Sequence, residues 1–213
     1  MPIRAIIFDC DGTLVDSETL ANRVLVEYAA EFGLMLSLEE AMVRFVGSKM
    51  DDCVADMENQ LGKALPEHFV PEFRRRMERV FETELEPLPG AHALLARLEH
   101  PLAVASSGPR AKIELSLGVT GLRPFFSDDL IFSAYEIGHW KPDPEIFLCA
   151  ADALSVDPAE CLVVEDSVPG IRGGVAAGMP TIAFRQGEGQ ALELGAVAVL
   201  DSLTDLPDVI AHL

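Results

Sequence analysis

The 213-residue sequence predicts an α/β protein in which a parallel sheet lies between two layers of helices and an all-helical segment is inserted after the first strand. Three observations predict this class. Short apolar runs alternate with helical patterns, the alternation is interrupted once, and the interruption directly follows the first run. Strands that alternate with helices form parallel sheets covered on both faces. The length suits one such domain with an insertion better than two independent domains.

Composition and charge exclude several classes of partner. The chain carries 16 Lys and Arg against 35 Asp and Glu, a formal net charge of −19. Such an acidic surface repels polyanions, so nucleic acid and anionic membranes are excluded. No apolar run approaches the roughly 20 residues of a membrane helix. Because the four cysteines lack the paired spacing of a disulfide framework, we expect reduced thiols and a cytoplasmic protein.

Six short apolar runs are the predicted strands of a three-layer, Rossmann-like sheet. The first run stops at an acidic cluster, as expected of a strand that is buried on both faces and ends at a site. Between most runs, apolar residues recur every three or four positions, which is typical of helices with one buried face. The predicted strands are Ile3–Phe8, Leu102–Ala105, Leu130–Phe132, Leu162–Val164, Thr181–Phe184 and, as the weakest, Val197–Leu200.

Residues 17–86 interrupt this alternation with helical patterns and no convincing strand. Ser17 can cap a helix that extends through Phe32 and ends at Gly33. The run Pro87–Gly90 is typical of a hinge at which the chain returns to the sheet. We expect an all-helical cap domain over the carboxyl edge of the sheet, where open α/β sheets bind ligands. The predicted domains are a core of residues 1–16 and 87–213 and a cap of residues 17–86.

Polar residues that could take part in catalysis or ligand binding follow the first two predicted strands. Asp9 and Asp11 come after the first strand, and Gly12 allows a sharp turn there. The two carboxylates can supply a nucleophile or metal ligand together with an acid–base group. Ser106 and Ser107 close the second strand before a helix, where a hydroxyl and backbone N–H groups can bind phosphate. Each motif alone is also compatible with a solvated turn or an ordinary helix cap.

Two further segments carry a lysine and a second acidic pair. Lys141 precedes a predicted helix and by itself is typical of a solvated lysine. Glu165 and Asp166 follow the strand Leu162–Val164. Carboxylates gathered at two strand ends repel one another unless a cation lies between them. Oxygen ligands favour a hard ion, and Mg²⁺ is the obvious one.

Together, the four segments resemble the haloacid dehalogenase (HAD) superfamily, in particular its phosphatase branch with a helical cap between the first two motifs. The resemblance covers essentially the whole chain and is closest to bacterial sugar-phosphate phosphatases, including the 6-phosphogluconate phosphatase type. The matching segments are Asp9-x-Asp11-Gly12-Thr13-Leu14-Val15-Asp16-Ser17, Ala105-Ser106-Ser107-Gly108, Lys141-Pro142-Asp143-Pro144 and Val164-Glu165-Asp166-Ser167-x-x-Gly170, continuing to Ala177-Gly178-Met179.

The resemblance implies a Mg²⁺-dependent phosphatase that works through an aspartyl phosphate. Asp9 would attack phosphorus, and Asp11 would protonate the departing alcohol and then accept a proton from the hydrolytic water. Ser106 and Lys141 would hold the non-bridging oxygens. The implied ligands of Mg²⁺ are the Asp9 carboxylate, the Asp11 backbone carbonyl and the Asp166 side chain, with Glu165 joining directly or through water.

The cap is expected to select the substrate, a small phosphorylated metabolite such as a sugar phosphate or a sugar-acid phosphate. Arg44 and Lys49 flank Gly47 and Ser48, where capped phosphatases place a loop that faces the substrate. A cationic loop would suit a sugar acid that carries a carboxylate as well as a phosphate. The predicted substrate-binding residues are Arg44, Gly47, Lys49 and Ser107, in a protein expected to be a monomer.

Other functions remain open on the sequence. A hexose-phosphate mutase of the β-phosphoglucomutase type shares all four motifs, although such mutases usually carry a His where this chain has Ala21 and an Arg where it has Met50. A phosphoglycolate phosphatase would use the same chemistry. A phospho-acceptor protein without turnover also combines an Asp, an acidic cluster and a Lys, but it needs no cap. A true dehalogenase would leave Asp11 idle.

Asp9→Asn is expected to abolish phosphatase turnover, because an amide cannot replace the carboxylate as nucleophile. EDTA should likewise stop phosphate release until Mg²⁺ is restored. Both effects are measured as inorganic phosphate released from a phosphorylated substrate. Full activity in Asp9→Asn would exclude Asp9 as the nucleophile.

Overall fold

The structure, a computed structural model of the chain, describes residues 2–46 and 48–213. At its centre is a six-stranded sheet in the order β3-β2-β1-β4-β5-β6, in which every neighbouring pair is parallel. The predicted fold class, a parallel α/β sheet surrounded by helices, is confirmed. The strands are β1 (Ala5–Phe8), β2 (Leu102–Ser106), β3 (Ile131–Ser133), β4 (Cys161–Glu165), β5 (Thr181–Phe184) and β6 (Ala198–Leu200).

Eleven α-helices are assigned in the described ranges, and single 3-10 turns lie after α6 and before β3, β4 and α11. Across these same ranges, no helix has the length and apolar character needed to cross a membrane. The helices are α1 (Ser17–Ala30), α2 (Leu38–Phe45), α3 (Met50–Leu61), α4 (Phe69–Glu84), α5 (Ala91–Arg97), α6 (Arg110–Val119), α7 (Ala134–Ile137), α8 (Glu145–Leu154), α9 (Val168–Ala176), α10 (Glu188–Glu193) and α11 (Leu206–Ile210).

The register of the central strands brings several polar residues to one edge of the sheet. Phe8, the last residue of β1, pairs with Val104 of β2 and with Val164 of β4. Every residue of these three strands is buried. Parallel strands end at the same edge, so the residues that follow these pairs are neighbours. They are Asp9, Ala105 with Ser106 directly after it, and Glu165.

Helix α8 packs on one face of the sheet and so determines where the preceding segment lies. Ile146 and Phe147 of α8 are fully buried in a cluster that also contains Ile7 of β1 and Ala105 of β2. Burying a side chain such as Phe147 contributes about 1.5–3 kcal/mol. Asp143 supports the start of the helix, because its Oδ1 accepts a hydrogen bond from the Glu145 N–H at 3.0 Å. The residues just before α8 are therefore held against the sheet.

The chain divides into two compact units, residues 1–15 with 86–213, and residues 16–85. The sheet belongs to the first unit, and helices α1–α4 form the second. The two connections between the units run side by side: Val15 forms an antiparallel bridge with Pro87, and the Leu88 N–H donates to the Leu14 carbonyl at 2.9 Å. The predicted boundaries lie one residue further along the chain than these.

The helical insertion has its own aromatic core between α1 and α4. The rings of Tyr28 and Phe69 stack with centroids 4.7 Å apart. The Arg76 guanidinium lies 4.1 Å from the Tyr28 centroid and also pairs with Glu31 and Glu72. A cation over an aromatic face adds to the apolar packing. Residues 16–85 thus form a packed unit and not an extended loop.

The predicted N-cap of the first helix was wrong, whereas Gly33 does end the helical turns, as predicted. Ser17 is the first helical residue and is buried, so it does not cap the helix; Asp16 precedes the helix without a side-chain capping bond. The α-helical residues end at Ala30, and Gly33, with a φ of +96°, ends the turn that follows them: the Leu34 N–H donates to the Ala29 carbonyl at 3.2 Å. The following turn tightens to bonds between residues three apart, the last from the Gly33 N–H to the Ala30 carbonyl. Tight last turns of this kind commonly end helices.

Replacing Gly174 of α9 by alanine is expected to destabilise the protein. A Cβ at Gly174 would lie 2.5 Å from Oγ1 of Thr181 and 3.2 Å from Cγ1 of Val163. Overpacking of this kind costs about 1–3 kcal/mol, read as a lower urea midpoint. The matched control is Gly118→Ala in α6, where a Cβ meets no atom within 4 Å. That change should stabilise the protein by about 0.5–1 kcal/mol, so a loss of stability in both variants would contradict this reasoning.

Candidate active site

Asp9 lies at the centre of the candidate site, directly after β1. Its backbone N–H donates to the Val164 carbonyl at 3.0 Å, so pairing between β1 and β4 continues to the site itself. The residue is 6% exposed. Because β1 lies between β2 and β4 in the sheet, residues leaving both neighbouring strands can reach the Asp9 carboxylate.

Lys141 is buried and joins the ends of three strands. Its Nζ lies 2.5 Å from Oδ1 of Asp9 and 2.5 Å from Oε1 of Glu165, and it donates to the Ala105 carbonyl at 2.8 Å. The lysine side chain is only 3% exposed. The interpretation of Lys141 as a solvated lysine, which the motif alone would suggest, is therefore wrong. The short bonds to two carboxylates give Lys141 a fixed position beside Asp9.

The charges in this cluster do not balance. Burial opposes the positive charge of Lys141, but Asp9 and Glu165 outweigh it and raise the lysine pKa. Burial is also the main reason why the pKa of Asp9 rises to about 8; Lys141 opposes the rise, and the charges of Glu165 and Asp11 add to it. One ammonium thus serves several carboxylates, so further positive charge beside Asp9 would favour its ionised form.

Glu165 is engaged on both of its carboxylate oxygens. Oε1 accepts from Lys141, while Oε2 accepts from the backbone N–H of Ser167 at 2.7 Å and from its Oγ at 2.9 Å. The residue is fully buried at the end of β4. Its contacts therefore hold Lys141 in place and link it to the N-terminus of α9. This geometry favours an indirect contribution of Glu165 to metal binding over direct ligation.

Asp11 is contacted by two side chains, one from the last residue of β2 and one from the first turn of α6. Ser106 Oγ donates to Oδ2 of Asp11 at 3.3 Å, and Nζ of Lys112 lies 2.8 Å from Oδ1. Sequence reasoning missed Lys112, which belongs to no motif. Its position in the first turn of the helix after β2 was the available signal, because such turns face the carboxyl edge of a parallel sheet.

The two serines after β2 differ in exposure. Ser106 is buried, and its Oγ accepts from the Gly108 N–H at 3.0 Å. The Gly108 carbonyl in turn accepts from Oγ of Ser133, the last residue of β3, at 2.7 Å. Ser107 is exposed. Ser106 is therefore held rigidly beside Asp11, whereas Ser107 faces solvent in this unit.

Asp166 approaches the turn that follows Asp9. Its Oδ1 accepts from Oγ1 of Thr13 at 3.1 Å. Gly12 has a φ of +84°, and a Cβ there would lie 2.1 Å from Oδ2 of Asp166. Only glycine permits this approach, which brings the Asp166 carboxylate beside the peptide group of Asp11. The side chain of Gln186, also missed in the sequence, donates to the Asp166 carbonyl.

Cys10 lies between the two aspartates but is fully buried. Burial, reinforced by the nearby charges of Asp11 and Asp9, raises the pKa of its thiol well above the ordinary value. Thiols react as thiolates, so this environment keeps Cys10 unreactive. A nucleophilic role for Cys10 is not supported.

Of the predicted cap residues, Arg44 and Lys49 lie in the second unit. Arg44 is exposed and lies 3.5 Å from Oδ2 of Asp56. Lys49 is exposed and immediately precedes α3. Gly47 lies outside the described residues. The first unit therefore brings together Asp9, Asp11, Ser106, Lys141, Glu165 and Asp166, while the roles of Arg44, Gly47 and Lys49 stay predictions.

The donors beside Asp9 fit a hard divalent cation. Among residues 2–46 and 48–213, no three acidic, histidine or cysteine side chains form a group ready to hold a metal ion. The implied ligand set needs only two carboxylates, those of Asp9 and Asp166, together with the backbone carbonyl of Asp11. All of these donors are oxygens, as Mg²⁺ prefers. The close approach at Gly12 and the unbalanced charge around Asp9 both favour a cation here.

Comparison with known families identifies the class of hydrolase. The features to be explained are the strand order, the aspartate pair after β1 and the buried lysine. The family model of haloacid dehalogenase-like hydrolases matches residues 3–178, and the chain belongs to this family. Several of its curated relatives are phosphatases, and the chain is an enzyme of this phosphatase group.

Three relatives illustrate the similarity. The 6-phosphogluconate phosphatase of Escherichia coli (strain K12) is 41% identical over 186 residues, which cover 85% of this chain and 82% of that protein. A HAD family hydrolase of Deinococcus radiodurans R1, solved with bound phosphate and sodium, has a TM-score of 0.82 at 31% identity and covers 99% of this chain and 96% of its own. A Thermotoga maritima protein proposed to be a β-phosphoglucomutase has a TM-score of 0.81 at 27% identity, covering 99% and 100%.

Proposed function

We propose that the protein is a Mg²⁺-dependent phosphatase that hydrolyses a small phosphorylated metabolite, a sugar phosphate or sugar-acid phosphate, through an aspartyl phosphate. The observation that carries this proposal is the buried contact between Lys141 and Asp9 at 2.5 Å, with Asp11 held nearby. A fixed carboxylate beside a fixed cation suits attack on an anionic phosphoryl group, and the second carboxylate supplies acid–base chemistry.

The first step forms a bond between a carboxylate oxygen of Asp9 and phosphorus, and it breaks the bond between phosphorus and the substrate oxygen. Asp11 protonates that oxygen as the alcohol leaves. In the second step, water attacks phosphorus while Asp11 accepts its proton, which releases phosphate and regenerates Asp9. Lys141 and Ser106 would bind the non-bridging oxygens and offset their charge.

The metal ion, when bound, would neutralise phosphoryl charge that otherwise repels Asp9. Asp9, the carbonyl of Asp11 and Asp166 would hold it. Glu165 would contribute by holding Lys141, because both of its oxygens already accept hydrogen bonds. These hydrogen bonds support a role for Glu165 through Lys141, in addition to the direct or water-mediated ligation that the sequence left open.

The substrate class rests on the relatives and on the insertion. The 41% identical relative acts on 6-phosphogluconate, a sugar acid with two anionic ends, which makes this compound the first candidate. We keep residues 1–16 and 87–213 as the catalytic core and residues 17–86 as a substrate-selecting cap. Arg44, Gly47, Lys49 and Ser107 stay the proposed substrate contacts. A monomeric, cytoplasmic enzyme also stays a proposal.

A hexose-phosphate mutase is the second candidate, favoured by the structural similarity to the Thermotoga maritima protein. Ala21 and Met50 stand where such mutases usually carry His and Arg, and both departures weigh against it. Neither alanine nor methionine can donate the polar contacts of the residues they replace. Phosphate release is therefore the favoured reaction.

A screen of the purified protein with Mg²⁺ against phosphorylated metabolites tests the proposed function. The panel should include 6-phosphogluconate, phosphoglycolate and several hexose phosphates. We expect release of inorganic phosphate, greatest for a sugar phosphate or sugar-acid phosphate, and none in Asp9→Asn. Isomerisation without phosphate release would favour the mutase, and a stoichiometric phosphoprotein without turnover would favour a phospho-acceptor.

Mg²⁺ binding is expected to release protons. Burial raises the pKa of Asp9 to about 8, so near neutral pH the ion must displace a proton from this carboxyl group. The affinity for Mg²⁺ should therefore rise between about pH 6 and about pH 9, with about one proton released per ion at neutral pH. Calorimetry in buffers of different ionisation enthalpy measures this number. Asp9→Asn is the control and should release none; equal release in both proteins would contradict the assignment.

A further inference from the structure

Asp11 is held at both carboxylate oxygens by residues from one short stretch of chain. Lys112 Nζ lies 2.8 Å from Oδ1, and Ser106 Oγ donates to Oδ2 at 3.3 Å. The family motifs include the serine but not the lysine. Two contacts on opposite oxygens restrict rotation of the carboxylate, whereas one contact would leave it free to turn about that bond.

Hydrogen bonds in the first turn of α6 hold the backbone of Lys112 in place. Arg110 in the same turn donates to the Ile131 carbonyl at 2.7 Å and to the Asp128 carbonyl at 2.6 Å. The Lys112 N–H donates to the Pro109 carbonyl at 2.9 Å. These bonds tie the start of α6 to the chain around β3. The lysine therefore extends toward Asp11 from a rigid base.

Burial makes this ion pair different from an ordinary surface pair. The side chains of Lys112 and Asp11 are 19% and 17% exposed, whereas Arg23 and Glu84 in the second unit are 38% and 47% exposed. Exposed ion pairs contribute little because water and salt screen them. A mostly buried pair is screened less and can maintain an orientation.

We propose that Lys112 is a positioning residue that orients the Asp11 carboxyl group toward the departing oxygen of the substrate. The proposal rests on the proposed function, in which Asp11 protonates that oxygen. An acid of this kind works only within hydrogen-bond reach of the reacting atom, and small displacements are costly. Lys112 acts through Asp11 and does not itself contact the substrate.

Lys112→Met tests the proposal, because it removes the ammonium and retains an unbranched side chain. The measured quantity is kcat/KM, which reports the steps up to departure of the leaving group. For a sugar phosphate, whose alkoxide must be protonated to leave, we expect a fall of about 10- to 100-fold. For p-nitrophenyl phosphate, whose leaving group departs without protonation, we expect a fall of less than about 3-fold.

Two control variants accompany this measurement. Lys112→Arg retains the positive charge and should keep most of the activity toward the sugar phosphate. Arg97→Met removes a charge from the exposed end of α5. Because this end of α5 precedes β2, it lies at the opposite edge of the sheet from the site. The substitution should leave kcat/KM unchanged for both substrates. Thermal unfolding of all variants reports whether each is folded.

A binding measurement separates positioning from direct substrate contact. Substrate affinity is compared in Asp9→Asn, which cannot turn over, with and without Lys112→Met. A positioning role predicts the same Kd for the sugar phosphate in both proteins. A weaker Kd in the double variant would show that Lys112 binds the substrate and would overturn the proposal.

The remaining outcomes are also decisive. An equal loss for both substrates in a folded Lys112→Met protein, or no loss for either, would overturn the role of Lys112 and leave the phosphatase proposal intact. A wild-type protein that hydrolyses neither substrate would overturn the proposed function and this inference with it. A fall in kcat/KM for the sugar phosphate alone, with activity retained in Lys112→Arg and an unchanged Kd, would support both the proposed function and the role of Lys112.

Discussion

The buried ammonium of Lys141 is the interaction on which the rest of the site depends. Removing such a charge from water costs several kcal/mol unless opposite charges surround it. Asp9 and Glu165 supply them at the ends of the adjacent strands β1 and β4, so Lys141 keeps both partners only while these strands keep their register. The lysine itself comes from the segment before α8, and Phe147 of that helix is buried against the sheet. The pairing of charges at the site therefore depends on the same strand register and helix packing that form the core.

The two aspartates after β1 have different surroundings although only one residue separates them. The Asp9 side chain is 8% exposed beside Lys141, and the Asp11 side chain is 17% exposed beside Lys112. Neighbouring carboxyl groups can take different roles when their environments differ. The more buried one suits a nucleophile that needs fixed geometry. The more open one suits a group that exchanges protons with a leaving alcohol and with water.

Much of the fold and part of the site were predictable from local patterns. The apolar runs that became β1, β2 and β4 end at Asp9, Ser106 and Glu165, and parallel strands necessarily present these ends at one edge. The start of the first helix was less predictable, because the helix begins at Ser17 itself and Asp16, which makes no side-chain capping bond, takes the N-cap position. Lys112 was missed because a lone lysine in a helical pattern looks the same whether it is solvated or paired.

The order of strands and helices along the chain, the inserted helical unit and the residue types available for phosphoryl chemistry can all be read from the sequence. These follow from periodicity and from short motifs, which are local properties. The contacts between distant residues appear only in the folded chain: Lys141 with Glu165, Lys112 with Asp11, and Asp166 against Gly12. Such pairs join residues far apart in the chain. The distances within these pairs depend on strand register and helix packing. Both arise when the core assembles, so local sequence patterns do not reveal them.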